Sequence, residues 1–250
     1  MAADDVAAGS ARAALADPLA GLPRVTYANG GTDFSALHRL IDQLLPSISD
    51  SLKGQPALHW IGGGALATGA RFEVASPIDR GLMLGQRLQA DAATVEGAVL
   101  AARRAFAGWR NAGWRARVQA LRTVADRLQA RRLEVAIAVI LEVGKSRLEA
   151  LGEIEEAIDL IRFYCDQVEV HQGWELSLSS GPGGESGHDR LRPYGCFAVI
   201  APFNYPVALA IGMSCAALLG GNTVVFKPTA QAVLSAVSYT HLTLPTILRV

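Results

Sequence analysis

The chain has 250 residues, half of them apolar, and its 23 basic and 23 acidic side chains give a formal net charge of zero. That length can hold one large domain or two small ones around a substantial core, and the charge balance excludes a nucleic acid or an anionic membrane held by electrostatics. Three scattered cysteines, Cys165, Cys196 and Cys215, have neither metal-ligand spacing nor the pattern of a disulfide framework, so a reducing, cytoplasmic setting is expected.

Residues 1–33 read as a loosely ordered lead ending in Asn29-Gly30-Gly31. Asp4, Asp5 and Asp17 interrupt its alanines, and no charged-then-apolar signal pattern is present. From Phe34 to Ile48, Leu37, Leu40, Ile41, Leu44 and Leu45 recur at helical spacing. Leu58 to Ile61, Ala70 to Ala75 and Met83 to Leu88 read as short strands, the first of them beside Gly62-Gly63-Gly64. Three helices are predicted next. One, capped by Thr94, runs to Trp109 with Val95, Val99, Ala102, Phe106 and Trp109 on one stripe. Another runs from about Ala116 to Val143, with Val118, Leu121, Val124, Ala125 and Leu128 inward. Arg115, Arg117, Arg122, Arg127, Arg131 and Arg132 lie mostly on its other face, which reads as solvated surface, and Gly144 ends it. The last runs from about Arg147 to His171, with Ile154, Ile158, Ile161 and Cys165 inward. A hairpin follows at about residues 174–194: Trp174 to Leu178, a turn through Ser179 to Gly184, and a return from Arg190 to Tyr194.

Residues 196–229 are the most informative stretch. Phe197 to Ile200 is an apolar strand ended by Pro202 and Pro206, the second of which suits a helix start. Ala208 to Leu219 is small and apolar all round, as in a helix buried against a sheet, and Gly220-Gly221-Asn222 stops it. Thr223 to Phe226 reads as a fully buried, parallel strand. Strand, crossover helix and parallel strand form half of a mononucleotide-binding layer, in which ligands sit beyond the carboxyl ends of the strands. Asn204 and Lys227 fall at those two ends. The uncharged run between Arg192 and Lys227 is long enough to cross a bilayer, but the prolines, Asn204 and the Gly-Gly-Asn break argue against a span.

Ile200-Ala201-Pro202-Phe203-Asn204-Tyr205-Pro206, followed by Gly221-Asn222-Thr223-Val224-Val225-Phe226-Lys227-Pro228, resembles the aldehyde dehydrogenase superfamily. Ser76-Pro77-Ile78-Asp79 and Glu142-Val143-Gly144-Lys145 resemble two further elements of it, so the likeness covers about two-thirds of the chain, from about Ala70 onward. Arg192-Pro193-Tyr194-Gly195 with the two-proline motif is most similar to the glutamate-semialdehyde (pyrroline-carboxylate) dehydrogenases of proline catabolism. The resemblance implies an α/β fold: the incomplete Rossmann-like cofactor-binding domain of an aldehyde dehydrogenase across residues 34–237, with N-terminal helices. The hairpin would project from it and pair subunits of a homo-oligomer.

By the same resemblance, the Asn204 amide holds the oxyanion formed when a catalytic thiolate attacks a small-molecule aldehyde; a turn asparagine bonding its own backbone is the alternative. Lys227 meets the adenosine ribose of NAD or NADP, where the alternative is a solvated lysine at a strand end. Ile200, Ala201, Pro202 and Phe203 line the nicotinamide half of the crevice, or are plain core. Ala230 stands where many NAD-preferring relatives carry a Glu, so cofactor choice stays open. The family's glycine-rich turn, general-base Glu and nucleophilic Cys follow beyond Lys227. The chain is therefore expected to be a fragment, inactive by itself. None of the three cysteines reads as the nucleophile, no metal site is expected, and the five histidines are given no role. Residues 238–250 match nothing in the family and resemble translated adapter sequence, so a non-native tail is expected. The rival readings are a non-catalytic assembly partner or pseudo-enzyme of the same fold, an acyl-phosphate reductase of similar fold, and a membrane protein with Phe197–Leu219 as one helix.

Overall fold

The computed structural model describes residues 19–236, apart from 27, 30, 54–57, 180 and 182. Most of the expected lead and the whole of the expected 238–250 tail lie outside the described residues. Within the lead, Leu19 and Val25 are buried in the core, and Arg24 pairs with Glu155 at 2.6 Å and Asp159 at 2.7 Å.

Helix α1 spans Ser35–Lys53 and buries Leu37 and Ile41 as its spacing requires. Two antiparallel hairpins follow, β1 (His59–Ile61) with β2 (Gly64–Leu66) and β3 (Ala70–Ala75) with β4 (Met83–Gln89). Strand β2 was not expected. It is too short for a periodic signal, and it exists because Gly62 and Gly63 both take positive φ, 59° and 86°, in the tight turn before it. Helix α2 (Ala92–Asn111) is capped by Asp91 and not by Thr94. The Asp91 carboxylate accepts the Thr94 backbone N–H at 2.7 Å, which places the cap three residues earlier.

The long helix expected from Ala116 to Val143 is two helices, α3 (Gly113–Ala130) and α4 (Arg132–Val143), parted by Arg131 at φ −114°, ψ 13°. The reason is a change of surroundings. Helix α3 buries a single stripe, the five residues predicted, whereas α4 is buried at every position from Arg132 to Glu142 except Glu134 and must turn inward. Gly144 ends α4 in the left-handed conformation, φ 74°. Helix α5 (Arg147–Val170) starts on a Ser146/Glu149 capping box and buries Ile154, Ile158, Ile161 and Cys165. It packs against α3, α4 and α6 (Ala208–Leu219), and so forms the hub of the molecule.

The arginine face of α3 and α4 is not simply solvated. Arg122 pairs with Asp166 and Glu169 of α5, and buried Arg132 meets Glu155 at 3.1 Å. These arginines join helices.

The hairpin forms from β5 (Glu175–Ser177) and β6 (His188–Arg190), so its return strand begins earlier than the sequence pattern placed it. All six strand residues are exposed. Strand β7 (Cys196–Ile200) pairs in parallel with β8 (Thr223–Lys227) across α6, as predicted. The expected burial of these strands is only partial. In β8 Thr223 alone is buried, and Phe197 and Ile200 of β7 are exposed. Among the described residues no third strand flanks the pair, so side chains that a wider sheet would cover face outward. No described helix is long and apolar enough to cross a membrane. The uncharged run divides into strand, helix and strand.

Candidate functional site

The carboxyl ends of β7 and β8 form one rim. Ile200 lies in register beside Lys227, and the Ala201 N–H donates to the Lys227 carbonyl at 3.3 Å. Ile200 and Phe203 are 64% and 58% exposed, large apolar surfaces turned outward at the same edge. Asn204 is exposed in the bend that follows β7, and Lys227 is exposed at the last residue of β8. Pro202 is half-buried. Ala201 is buried, so only its backbone is placed to face the rim.

The turn carrying Asn204 is held from a distance. Helix α6 begins at Ala208, two residues later than Pro206, and its cap residue Val207 offers no side-chain hydrogen bond. The helix start is set instead by Glu153 of α5. One carboxylate oxygen accepts the Val207 N–H at 2.8 Å and the Ala208 N–H at 3.1 Å. The other receives Lys145 Nζ at 2.6 Å. Lys145 also sits 3.5 Å from the centroid of the Tyr205 ring, next to Asn204. At the far end of α6, Trp109 Nε1 donates to the Leu218 carbonyl and Arg117 Nε to that of Leu219, both at 2.9 Å. An anion at the helix start and a cation at its end both suit the helix dipole.

The turn after β8 is held in the same manner. Buried Glu142 of α4 accepts the N–H of Leu234, the N–H of Ser235 at 2.8 Å and the Ser235 hydroxyl at 2.7 Å, at the start of the helical turn 233–236. Burial pushes the Glu142 carboxyl above its usual range. Asn222 ties the two strands to α6: its side-chain oxygen accepts the N–H groups of Tyr194 and Gly195, and its amide donates to the Ala217 carbonyl.

Sequence reasoning did not single out Glu153, Asn222 or Arg117. The signal for Glu153 was present, since it shares the apolar stripe of Ala150, Ala157 and Ile161 on α5. A carboxylate on a buried stripe requires a donor from elsewhere.

Cys165 and Cys215 behave as core residues, whereas Cys196, expected in the core, is half-buried at the start of β7. Burial pushes the thiols of Cys165 and Cys215 up to about 11 and about 12, far from a nucleophile's range. Among the described residues no cluster of His, Cys, Asp or Glu could hold a metal.

Comparison with known proteins decides the family. The model of the aldehyde dehydrogenase family matches residues 65–245, well over half of the sequence. The chain belongs to the aldehyde dehydrogenase family. It is 34% identical over 174 residues to N-succinylglutamate 5-semialdehyde dehydrogenase of Serratia proteamaculans, an alignment covering 70% of this chain and 35% of that protein. Its structure superposes on proline utilization A (PutA) from Bdellovibrio bacteriovorus with a TM-score of 0.79 and 31% identity, covering 84% of this chain and 22% of the other. On a 1-pyrroline-5-carboxylate dehydrogenase from Thermus with bound NAD the TM-score is 0.76 at 26% identity, covering 87% and 42%. The chain spans about a third of the length of the Serratia relative and less than half of each solved chain. Its fold is thus part of the aldehyde dehydrogenase fold, the part that contains the β7–α6–β8 unit.

Proposed function

We propose that this chain supplies the oxyanion-holding turn and part of the cofactor rim of an NAD(P)-dependent aldehyde dehydrogenase that converts a semialdehyde of the glutamate type to a carboxylate. The observation that carries the reading is the pairing of Ile200 with Lys227, which brings the exits of β7 and β8 to one edge with Asn204 four residues on. The residues present fit a dinucleotide: an exposed ammonium at a strand end, beside exposed apolar side chains that a ring could cover. When bound, the nicotinamide accepts the hydride that leaves the aldehyde carbon.

The chain's own groups have distinct tasks. Lys227 offers N–H donors to ribose hydroxyls. Ile200 and Phe203 shield the nicotinamide half from water, with Ala201 and Pro202 shaping the backbone below. Asn204 donates from its carboxamide to the oxygen that becomes an oxyanion under thiolate attack. The attacking thiol is none of Cys165, Cys196 or Cys215: the first and last are buried with raised pKa values, and Cys196 lies at the opposite, amino end of β7. Turnover therefore needs a thiol from another segment. The hairpin β5–β6 serves subunit pairing in the assembled enzyme, and a cytoplasmic setting suits the chemistry.

Titration of the full chain with NAD and with NADP tests the cofactor half. We expect saturable binding that Lys227→Ala weakens roughly tenfold, the loss of a charge-assisted hydrogen bond. Equal affinity of variant and parent would remove Lys227 from the site. With a glutamate semialdehyde present, the chain alone should reduce no cofactor above blank, and measurable turnover would overturn the assignment of the thiol elsewhere. In a longer polypeptide joining this segment to a catalytic thiol, Asn204→Ala should lower kcat by about 10²–10³ with KM little changed.

A further inference from the structure

We propose that Glu153 is the positioning residue of the Asn204 turn, with Lys145 as the cation that keeps its carboxylate in place. The inference rests on the reading of Asn204 as the oxyanion donor and goes beyond it, because it names what aims that side chain.

The Glu153 side chain is 0% exposed, and a buried carboxylate persists only where its charge and lone pairs are met. Here one oxygen is taken by two backbone N–H groups of the α6 start and the other by the Lys145 ammonium at 2.6 Å. Helix capping alone does not require this arrangement. A Ser, Thr, Asp or Asn at position 207 would cap α6 locally, yet the position holds Val207 and the acceptor comes from a residue 54 positions away. The remote acceptor fixes where the helix start sits relative to α5, which a local cap cannot do.

Lys145 extends the grip to the residue that directly follows Asn204, through the Tyr205 ring. Tyr205, Val207 and Ala208 are thus each tied to one buried ion pair, and Pro202 and Pro206 restrict the backbone on both sides of Asn204. The clamp at the other end of the helix, Trp109 and Arg117 on the Leu218 and Leu219 carbonyls, is independent of Glu153. Sliding or tilting of α6 would have to break both ends. Breaking one end should free only that end, and the experiment uses that separation.

The test is ¹⁵N NMR with amide hydrogen exchange on the full, ligand-free 250-residue chain. Glu153→Gln keeps the shape but turns an amide donor toward either Lys145 or the N–H pair. We expect the Val207 and Ala208 amides to exchange roughly tenfold faster or more, as local opening at a freed helix end allows, and the Asn204 side-chain NH₂ signals to average toward their free values. The amides of Leu218 to Gly221 should stay as protected as before. Glu153→Asp should restore part of the protection, and Lys145→Met should reproduce the Gln effect in weaker form. Unchanged Asn204 signals in a folded Glu153→Gln chain would overturn the proposal, as would equal loosening at both ends of α6. Should Glu153→Gln fail to fold, Lys145→Met decides the same question: Asn204 either averages with Val207 and Ala208 or stays fixed. Asn204→Ala serves as the control, and Val207 and Ala208 should keep their protection in it. Because no substrate or cofactor is present, loss of the oxyanion role would show in the Asn204→Ala kinetics and leave this result standing.

Discussion

The turns after β7 and after β8 are two solutions to one problem. Each leaves a parallel strand at the site rim, each opens a helical segment, and each is held by a buried glutamate from the α4–α5 pair. They differ in how the carboxylate is balanced. Glu153 has a cation at 2.6 Å, whereas Glu142 is met by two N–H groups and a hydroxyl, with Arg87 as the buried charge that influences it. Arg87 donates to the carbonyls of Gln86 and Leu84. A buried carboxylate met mainly by dipoles is costly to ionise, and Glu142 is such a group. The anchor on the Lys227 side is therefore one whose charge burial opposes, and the anchor of the Asn204 turn is one with a cation at contact distance.

Glu153→Ala should break this comparison most severely. It leaves Lys145 and two buried N–H groups without their acceptor, a loss of about 3–5 kcal/mol in urea unfolding. Glu142→Ala leaves no buried cation stranded at contact distance and should cost less, roughly 1–3 kcal/mol for the unmet N–H groups. Equal losses would show that the ion pair adds nothing to the Asn204 side. Asn222→Ala, which strips three hydrogen bonds from the frame shared by both turns, should cost about 2 kcal/mol, again by urea midpoint. Gly144→Ala should cost about 1 kcal/mol, because a Cβ at φ 74° is strained and would meet Pro77 Cγ at 3.3 Å.

The finest discrimination is in pH. The Glu142 carboxyl titrates above its ordinary 4.5 in the folded chain because burial disfavours its charge. Its contribution to stability is then fully present below about pH 4.5 and is lost as pH rises through the folded value. Urea midpoints of the parent chain should fall relative to those of Glu142→Gln on going from about pH 4.5 upward. A constant difference across that range would show that Glu142 titrates alike in folded and unfolded chains.

Local patterns were legible where one face of an element meets one environment. The α3 stripe of Val118, Leu121, Val124, Ala125 and Leu128, the inward residues of α5, the end of α6 and the parallel β7–β8 pair all follow from spacing and from Gly and Pro punctuation. The family match spans residues 65–245 and so includes the stretch that carries Asn204 and Lys227. The break at Arg131 was not legible, since a helix that passes from surface to interior keeps a helical pattern on both sides of the bend. The exposure of Phe197, Ile200 and Phe203 was not legible either, because an apolar strand reads the same whether or not a neighbour covers it.

By itself, then, the sequence determined which segments are helix and strand around the site, the parallel crossover, and the carboxamide and ammonium at its two strand exits. Only the tertiary structure decided what holds those groups in place. Glu153 and Val207 are 54 residues apart, and Glu142 and Ser235 are 93 apart. Hydrogen bonds over such separations leave no periodic trace in the chain, because they depend on where packed helices come to rest and not on the order of their residues.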